Sequence, residues 1–266
     1  MMAEVPVRER EFVRLADGTR AEEFAPVAEE VPVAFVYSGR PHVVMMCTPE
    51  NLEDLAYGFS LTEGIIASAS QIEHIDVATH ARGAELAITI PVEAAARLAQ
   101  RTRALAGRTG CGLCGVEAID DAVRAVRPVR SSLTISEGAL WRAGESLEAH
   151  QPLNRETRTV HAAAWASADG ELVVTREDVG RHNALDKVLG ALARAGTDAS
   201  TGFLIVTSRA SFELVQKASA AGVALLAAVS RPTGLAVRIA DESGITLVGL
   251  LRGHTANVYS HPERIT

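Results

Sequence analysis

The stretch that decides the fold runs from Gly202 to Gly222, "GFLIVTSRASFELVQKASAAG". It opens with an apolar run short enough for a buried strand. It then passes through the loop "SRAS" and continues as a helix of roughly three turns that stops at glycine. The same unit recurs on both sides. "ELVVT" (171–175) leads through "REDVGRHN" into "ALDKVLGALARAG". "VALLAAVS" (223–230) leads through "RPT" into "GLAVRIADESG", and "ITLVGLL" (245–251) runs into "RGHTANVYSHP". Short, continuously apolar strands alternating with helices predict a parallel α/β sheet covered on both faces.

Each predicted strand is followed by arginine: Arg176 and Arg181, then Arg209, Arg231 and Arg252. Hydroxyls stand beside most of them, at Ser208, Ser211, Ser230, Thr233 and Thr255. In an open α/β sheet, ligands sit outside the carboxyl ends of the strands. Helix N-termini there offer free N–H groups, and guanidinium forks match phosphate oxygens. The recurrence points to a crevice for an anionic, phosphorylated ligand. Loop arginines simply solvated at the surface are the competing reading.

The N-terminal part reads differently. "EVPVAFVYSGRPHVVMMCTPE" (30–50) predicts two antiparallel strands, Val33–Tyr37 and His42–Cys47, around the turn "SGRP". Thr48 is expected to cap a helix with Pro49 at its first position, an apolar stripe at Leu52, Leu55, Ala56 and Phe59, and Gly64 at its end. "GAELAITIPV" predicts a further strand and "VEAAARLAQRTRALAG" a further helix. The division falls near residue 108, with an α+β part over 1–108 and an α/β domain over 109–266.

Composition narrows the class. The 266 residues are 47% hydrophobic and 22% charged, ordinary for a globular chain with a sizeable core. A net charge of −7 argues against a nucleic-acid binder or a basic membrane-surface protein, so any anion site must be built from local arginines. No apolar run is long enough to span a membrane, and the charged start "MMAEVPVRERE" has no signal-peptide core. Three cysteines (Cys47, Cys111, Cys114) make no disulfide scaffold, so the cytoplasm is the expected compartment.

Cys111 and Cys114 stand in "RTGCGLCGVE" (108–117), between glycines and below Arg101, Arg103 and Arg108. A zinc site needs a second ligand pair, and none is spaced to supply it; the deaminase motif of a His-x-Glu before Pro-Cys-x-x-Cys is absent as well. No metal site is therefore expected. A redox dithiol suits the helix-like "VEAIDDAVRAV" that follows, but the glycines give no fixed geometry. A thiolate that carries a sulfur atom suits a glycine-rich loop flanked by arginines, which lower the thiol pKa.

Taken together, "CGLCGVE", "REDVGRHNALDKVLG", "SRASFELVQKASAAGV", "AVSRPTGLAV" and "NVYSHPERI" resemble the FdhD/NarQ family, with "YGFSLTEGII" and "TVHAAAW" in agreement. The resemblance covers about residue 30 to the end. It implies a sulfurtransferase that takes persulfide sulfur from a cysteine desulfurase. The sulfur passes to the molybdenum (or tungsten) cofactor, a bis-molybdopterin guanine dinucleotide, before insertion into formate dehydrogenase. It makes Cys111 the persulfide-bearing residue and Cys114 its partner. It places cofactor contacts on Leu250, Leu251, Arg252, Gly253, His254 and Thr255; Ser208, Arg209, Arg231, Arg181 and His182 join them from the strand-end pattern. It further implies a cytidine-deaminase-like layered α/β/α fold without the deaminase zinc, and a homodimer. A non-catalytic chaperone for the same dinucleotide cofactor and a thiol–disulfide oxidoreductase are the alternative functions.

Other polar residues carry ordinary expectations. Asp178 reads equally as a helix cap or a ligand contact, Asn183 as a helix cap, and His161 and His182 as structural histidines. Lys187 and Lys217 read as solvated helix charges, and Cys47 as a small buried residue.

Overall fold

The computed structural model describes residues 5–105 and 127–266, apart from the side chains of 102–105. The chain starts with a hairpin of β1 (Val7–Ala16) and β2 (Thr19–Ala28), closed by the two-residue turn Asp17–Gly18 with both φ angles positive. Next come β3 (Val31–Tyr37), β4 (Arg40–Cys47), α1 (Leu52–Thr62), β5 (His74–His80), β6 (Gly83–Thr89) and α2 (Val92–Leu105). Their sheet has the order β4-β3-β6-β5, with β3 and β6 parallel and the other pairs antiparallel. It buries Val33, Phe35, Leu86 and Ile88 against Leu55 and Phe59 of α1 and Leu98 of α2.

The remaining elements are α3 (Glu137–Ser146), α4 (Pro152–Thr157), β7 (His161–Ser167), β8 (Leu172–Asp178), α5 (Arg181–Ala195), β9 (Gly202–Val206), α6 (Phe212–Ala220), β10 (Leu225–Ala228), α7 (Gly234–Ser243), β11 (Thr246–Arg252) and β12 (Thr255–Ser260). They build a six-stranded sheet in the order β12-β11-β10-β9-β7-β8. Side chains alternate across it as strand geometry requires. Leu204 and Val206 of β9 pack with α5, α6 and α7, while Phe203 and Ile205 pack with Ala139, Leu140 and Ala143 of α3. Helices therefore cover both faces, the mixed α/β arrangement that the strand–helix rhythm predicts. The rhythm holds as parallel pairing only for β9, β10 and β11; β7 and β12 run antiparallel to their neighbours.

Helices α1 and α5 join the two sheets at a very close crossing. A Cβ on Gly58 would stand 1.8 Å from the Asp186 carbonyl oxygen, and one on Gly190 would stand 1.8 Å from that of Asp54. Only glycine lets the two backbones approach so far. Helix α5 is consequently enclosed on all sides, and every residue from Asn183 to Leu192 is buried.

Several local expectations change for this reason. Lys187 and Lys217 are buried rather than solvated. Lys187 Nζ meets Asp178 Oδ2 at 2.6 Å and the Thr48 carbonyl at 3.0 Å. Lys217 Nζ meets Asp186 Oδ2 at 2.8 Å and Thr62 Oγ1 at 2.9 Å. Thr48 does not cap α1, which begins after Asn51 in the left-handed region at φ 54°. Its hydroxyl instead accepts from Val179 N, and its own N–H donates to Asp178 Oδ2. Arg176 belongs to β8 rather than to a loop and binds Asp54, so it does not join the other arginines at the strand ends. The expected division near residue 108 lies outside the described residues.

Candidate functional site

Strands β8, β9, β10 and β11 all point the same way, because β7 is antiparallel to both β8 and β9. Their carboxyl ends share one edge, and the loops there touch in series. Ala162, next to His161, exchanges hydrogen bonds with Thr207. His182 Nε2 stands 3.7 Å from Glu213 Oε2. Thr233 N donates to the Ala210 carbonyl, and Leu250 N donates to the Ser230 carbonyl. The sequence-predicted Arg181, His182, Ser208, Arg209 and Arg231, and the segment from Leu250 onward, therefore form a single continuous rim.

The rim is positively charged and carries unused polar atoms. Among the described residues, Arg181, Arg209, Arg231 and Arg252 enter no ion pair, whereas Arg176 and Arg194 are held by Asp54. Arg181 Nε is buried without a hydrogen-bond partner among the described residues, while His182 Nε2 and Ser211 Oγ face the Glu213 carboxylate. A buried polar atom is almost always satisfied in a folded protein, so Arg181 Nε is a donor open to a ligand. Ser211 precedes α6 and Gly180 precedes α5, and neither helix start has a side-chain cap. The dipole end of α5 adds to the attraction for anions, whereas at α6 the Glu213 carboxylate already takes up its own N–H. Thr233, by contrast, caps α7 by accepting from Ala236 N.

Charge at the rim follows from these contacts. The neighbouring His182 imidazole draws the Glu213 carboxyl down to about 2. Burial, with Arg181 and His182 nearby, lowers the pKa of His161. Asp178 does not act here as a ligand group: its four acceptor positions are filled by Gly180 N, Asn183 Nδ2, Thr48 N and Lys187 Nζ. Asn183 likewise donates inward, to Met46 O and Asp178. Both residues hold the turn that presents Arg181 and His182.

The last predicted segment divides into buried and exposed parts. Leu250 adopts φ 55° at the bulge of β11, and Leu251 is buried against Gly144 of α3. Arg252, Gly253, His254 and Thr255 form the exposed tip of the β11–β12 hairpin, where Gly253 has φ 52° and Thr255 Oγ1 donates to the Arg252 carbonyl. His254 stacks on Trp141 at 6.1 Å between ring centres, and its Nε2 lies 2.9 Å from Glu145 Oε1.

Cys111, Cys114 and Arg108 lie outside the described residues. Arg101 donates to the Glu63 carbonyl at 2.9 Å. Cys47 is buried as expected, with its thiol pKa pushed up by burial and its Sγ 3.4 Å from Asn183 Nδ2. Sequence reasoning passed over Glu213, Trp141 and Thr207. Glu213 had a legible signal, an acid in the first turn of a predicted helix beside an arginine loop; the Trp141–His254 stack joins residues too distant in sequence to leave one. A separate cleft of about 340 Å³ lies beside β8, lined by Asn51, Pro152, Thr175 and Glu177 among others. The carboxylate of Glu177 is already used there, accepting from Leu153 N and Asn154 N at the start of α4.

Residues 28–266 match the model of the FdhD/NarQ family. The chain belongs to that family. Its FdhD/NarQ relatives include the sulfur carrier protein FdhD of Xanthomonas axonopodis pv. citri, 55% identical over 239 residues, which are 90% of this chain and 85% of that one. The sulfur carrier protein FdhD of Xanthomonas campestris pv. campestris is 51% identical over 264 residues, 98% of this chain and 94% of its own. That of Cupriavidus necator is 51% identical over 239 residues, 90% of this chain and 83% of its own. In fold, the chain is similar to a crystal structure described as a formate dehydrogenase accessory protein from Desulfotalea psychrophila. The TM-score is 0.79 at 24% identity, covering 98% of this chain and all of the other. The arginine rim thus lies within the part of the chain that defines the FdhD/NarQ family.

Proposed function

We propose that this protein is a sulfur carrier, the activity named for its curated relatives. In this reading the Cys111 thiolate attacks the sulfane sulfur of a cysteine desulfurase persulfide, and the desulfurase thiolate leaves. Cys111 then bears the persulfide, and Cys114 assists it. The cargo is delivered to a molybdenum cofactor, bis-molybdopterin guanine dinucleotide, before that cofactor enters formate dehydrogenase. The cofactor is substrate here, and the protein acts as a sulfurtransferase in the cytoplasm, as a homodimer. We place the layered sheet with the cytidine-deaminase-like folds, in a form without the deaminase zinc.

One observation carries the reading: four arginines, at 181, 209, 231 and 252, that enter no ion pair among the described residues and line a single strand-end edge, with Arg181 Nε buried and unpartnered. That edge suits the phosphates of a dinucleotide, with guanidinium forks and the N-terminus of α5 as donors. Two measurements test the halves of the proposal. Intact-mass spectrometry after incubation with a cysteine desulfurase and free cysteine is expected to show one added, reducible sulfur, lost in Cys111→Ala. Calorimetry with guanosine diphosphate is expected to show binding that survives Cys111→Ala. Binding without sulfur loading would leave a cofactor chaperone, and a Cys111–Cys114 disulfide with a defined potential would make the pair a redox dithiol.

A further inference from the structure

Beside Arg252, the exposed tip of the β11–β12 hairpin carries an aromatic ring fixed from two sides. The His254 ring lies nearly parallel to Trp141 of α3, with 21° between the two planes. Trp141 is held from behind, packed on the core cluster that contains Leu140 and Leu251. Glu145, one turn further along α3, meets the same imidazole at its edge, 2.9 Å from Nε2. A carboxylate only accepts, so Nε2 carries the proton and the contact sets both tautomer and ring orientation. The His254 side chain is nevertheless 72% exposed, so the face turned away from Trp141 is open.

An open, immobilised aromatic face suits a flat π-system such as a nucleobase. The acceptors beside it suit one base in particular. Oε2 of Glu145 enters no hydrogen bond or ion pair among the described residues, and Oε1 keeps a lone pair beyond the one used by His254. Two adjacent acceptors match N1–H and N2–H of guanine, which lie side by side on its pairing edge. Adenine would turn an unprotonated N1 toward the same carboxylate. The position also fits the arginine rim. Leu250 N donates to the Ser230 carbonyl, so the hairpin abuts the loop that carries Arg231. Arg252 stands two residues before His254, their Cα atoms at most about 7 Å apart. A nucleotide with its phosphates on these arginines therefore has its base within reach of His254.

We propose that His254 and Glu145 read the base of the nucleotide whose phosphates occupy the strand-end rim. His254, backed by Trp141, is the surface on which the base stacks, and the Glu145 carboxylate selects guanine by accepting from N1–H and N2–H. The proposal rests on the reading that the rim binds a guanine dinucleotide, and it adds the residues that distinguish guanine from adenine there.

Calorimetry of the full-length protein with guanosine diphosphate, adenosine diphosphate and pyrophosphate tests it, with thermal melting to confirm that each variant is folded. The wild type is expected to prefer the guanine nucleotide by about tenfold or more. Glu145→Gln keeps an oxygen for His254 but leaves an amide N–H where the second acceptor stood. It should cut the preference to about twofold or less and bind pyrophosphate no more weakly than wild type. His254→Ala should weaken both nucleotides by about tenfold, the worth of one stacked base, without weakening pyrophosphate. Equal wild-type affinity for the two nucleotides would overturn the proposal and leave the phosphate rim standing. So would a guanine preference that survives Glu145→Gln. Pyrophosphate binding that falls in step with the nucleotides in His254→Ala would overturn the stacking role. A wild type that binds none of the three would overturn both the proposal and the reading beneath it.

Discussion

Lys187 Nζ lies 2.6 Å from Asp178 Oδ2, and neither side chain has any exposure to solvent. The pair ties the end of β8 to the body of α5, and the Thr48 carbonyl, taking a second Lys187 proton, ties in the end of β4. A buried ion pair adds little by itself, but breaking it leaves a charge stranded without water. Lys187→Met is therefore expected to lower unfolding stability by about 3–5 kcal/mol. Urea unfolding of the variant checks this, and a Lys187→Met protein as stable as wild type would refute the account.

The α1–α5 crossing makes a sharper steric prediction. In Gly190→Ala the new methyl group must displace the Asp54 carbonyl, with no flexible side chain to move aside. Overpacking of this kind costs about 1–3 kcal/mol or more, and Gly58→Ala meets the same obstacle at Asp186. Both variants should melt well below wild type. Gly196→Ala, at the end of α5 with open space around it, should pay only for its left-handed φ of 67°.

Along the strand-end rim, arginines should separate by role. Arg209→Ala and Arg231→Ala are expected to weaken guanosine diphosphate binding by about tenfold or more each, the worth of a charge-assisted hydrogen bond. Binding by these variants should also fall less steeply with salt. Arg176→Ala should leave binding unchanged and lower stability instead, since its partner is Asp54. Titration calorimetry at two salt concentrations distinguishes these outcomes.

The Glu213 carboxyl sets a pH dependence. Its folded value of about 2 is below the ordinary 4.5, so folding favours the ionised form. The resulting stability is fully present above about pH 5 and is lost as the pH falls toward 2. Glu213→Gln should therefore lose less stability than wild type between about pH 6 and about pH 3. Equal losses in denaturant titrations at the two pH values would show that His182 does not hold this carboxylate.

Much of the frame was legible because it rests on local pattern. The strands β3, β4, β6, β9, β10 and β11 and the helices between them follow from apolar periodicity and glycine stops. The arginine rim was also legible, since each residue ends or follows a strand and all four strands share a direction. What sequence did not disclose depends on contacts between distant segments. Lys187 and Lys217 look like solvated charges until α1 is laid over α5, and Thr48 looks like a cap until Asp178, 130 residues later, claims its N–H. Arg176 looks like a crevice residue until Asp54 is placed beside it. The pairing direction of β7 and β12 has no local signal either, because a buried strand reads alike in both directions.

The glycine crossing of α1 on α5 has a consequence for the integrity of the chain. The two sheets are held together by interlocked helices and by the enclosed Lys187–Asp178 and Lys217–Asp186 pairs, not only by the peptide that connects them. Residues up to the end of α2 and residues from Arg127 onward should therefore find each other as separate fragments and reassemble into a complementing pair. Proteolytic nicking between them would leave a single particle, stripped of its covalent continuity but not of its architecture.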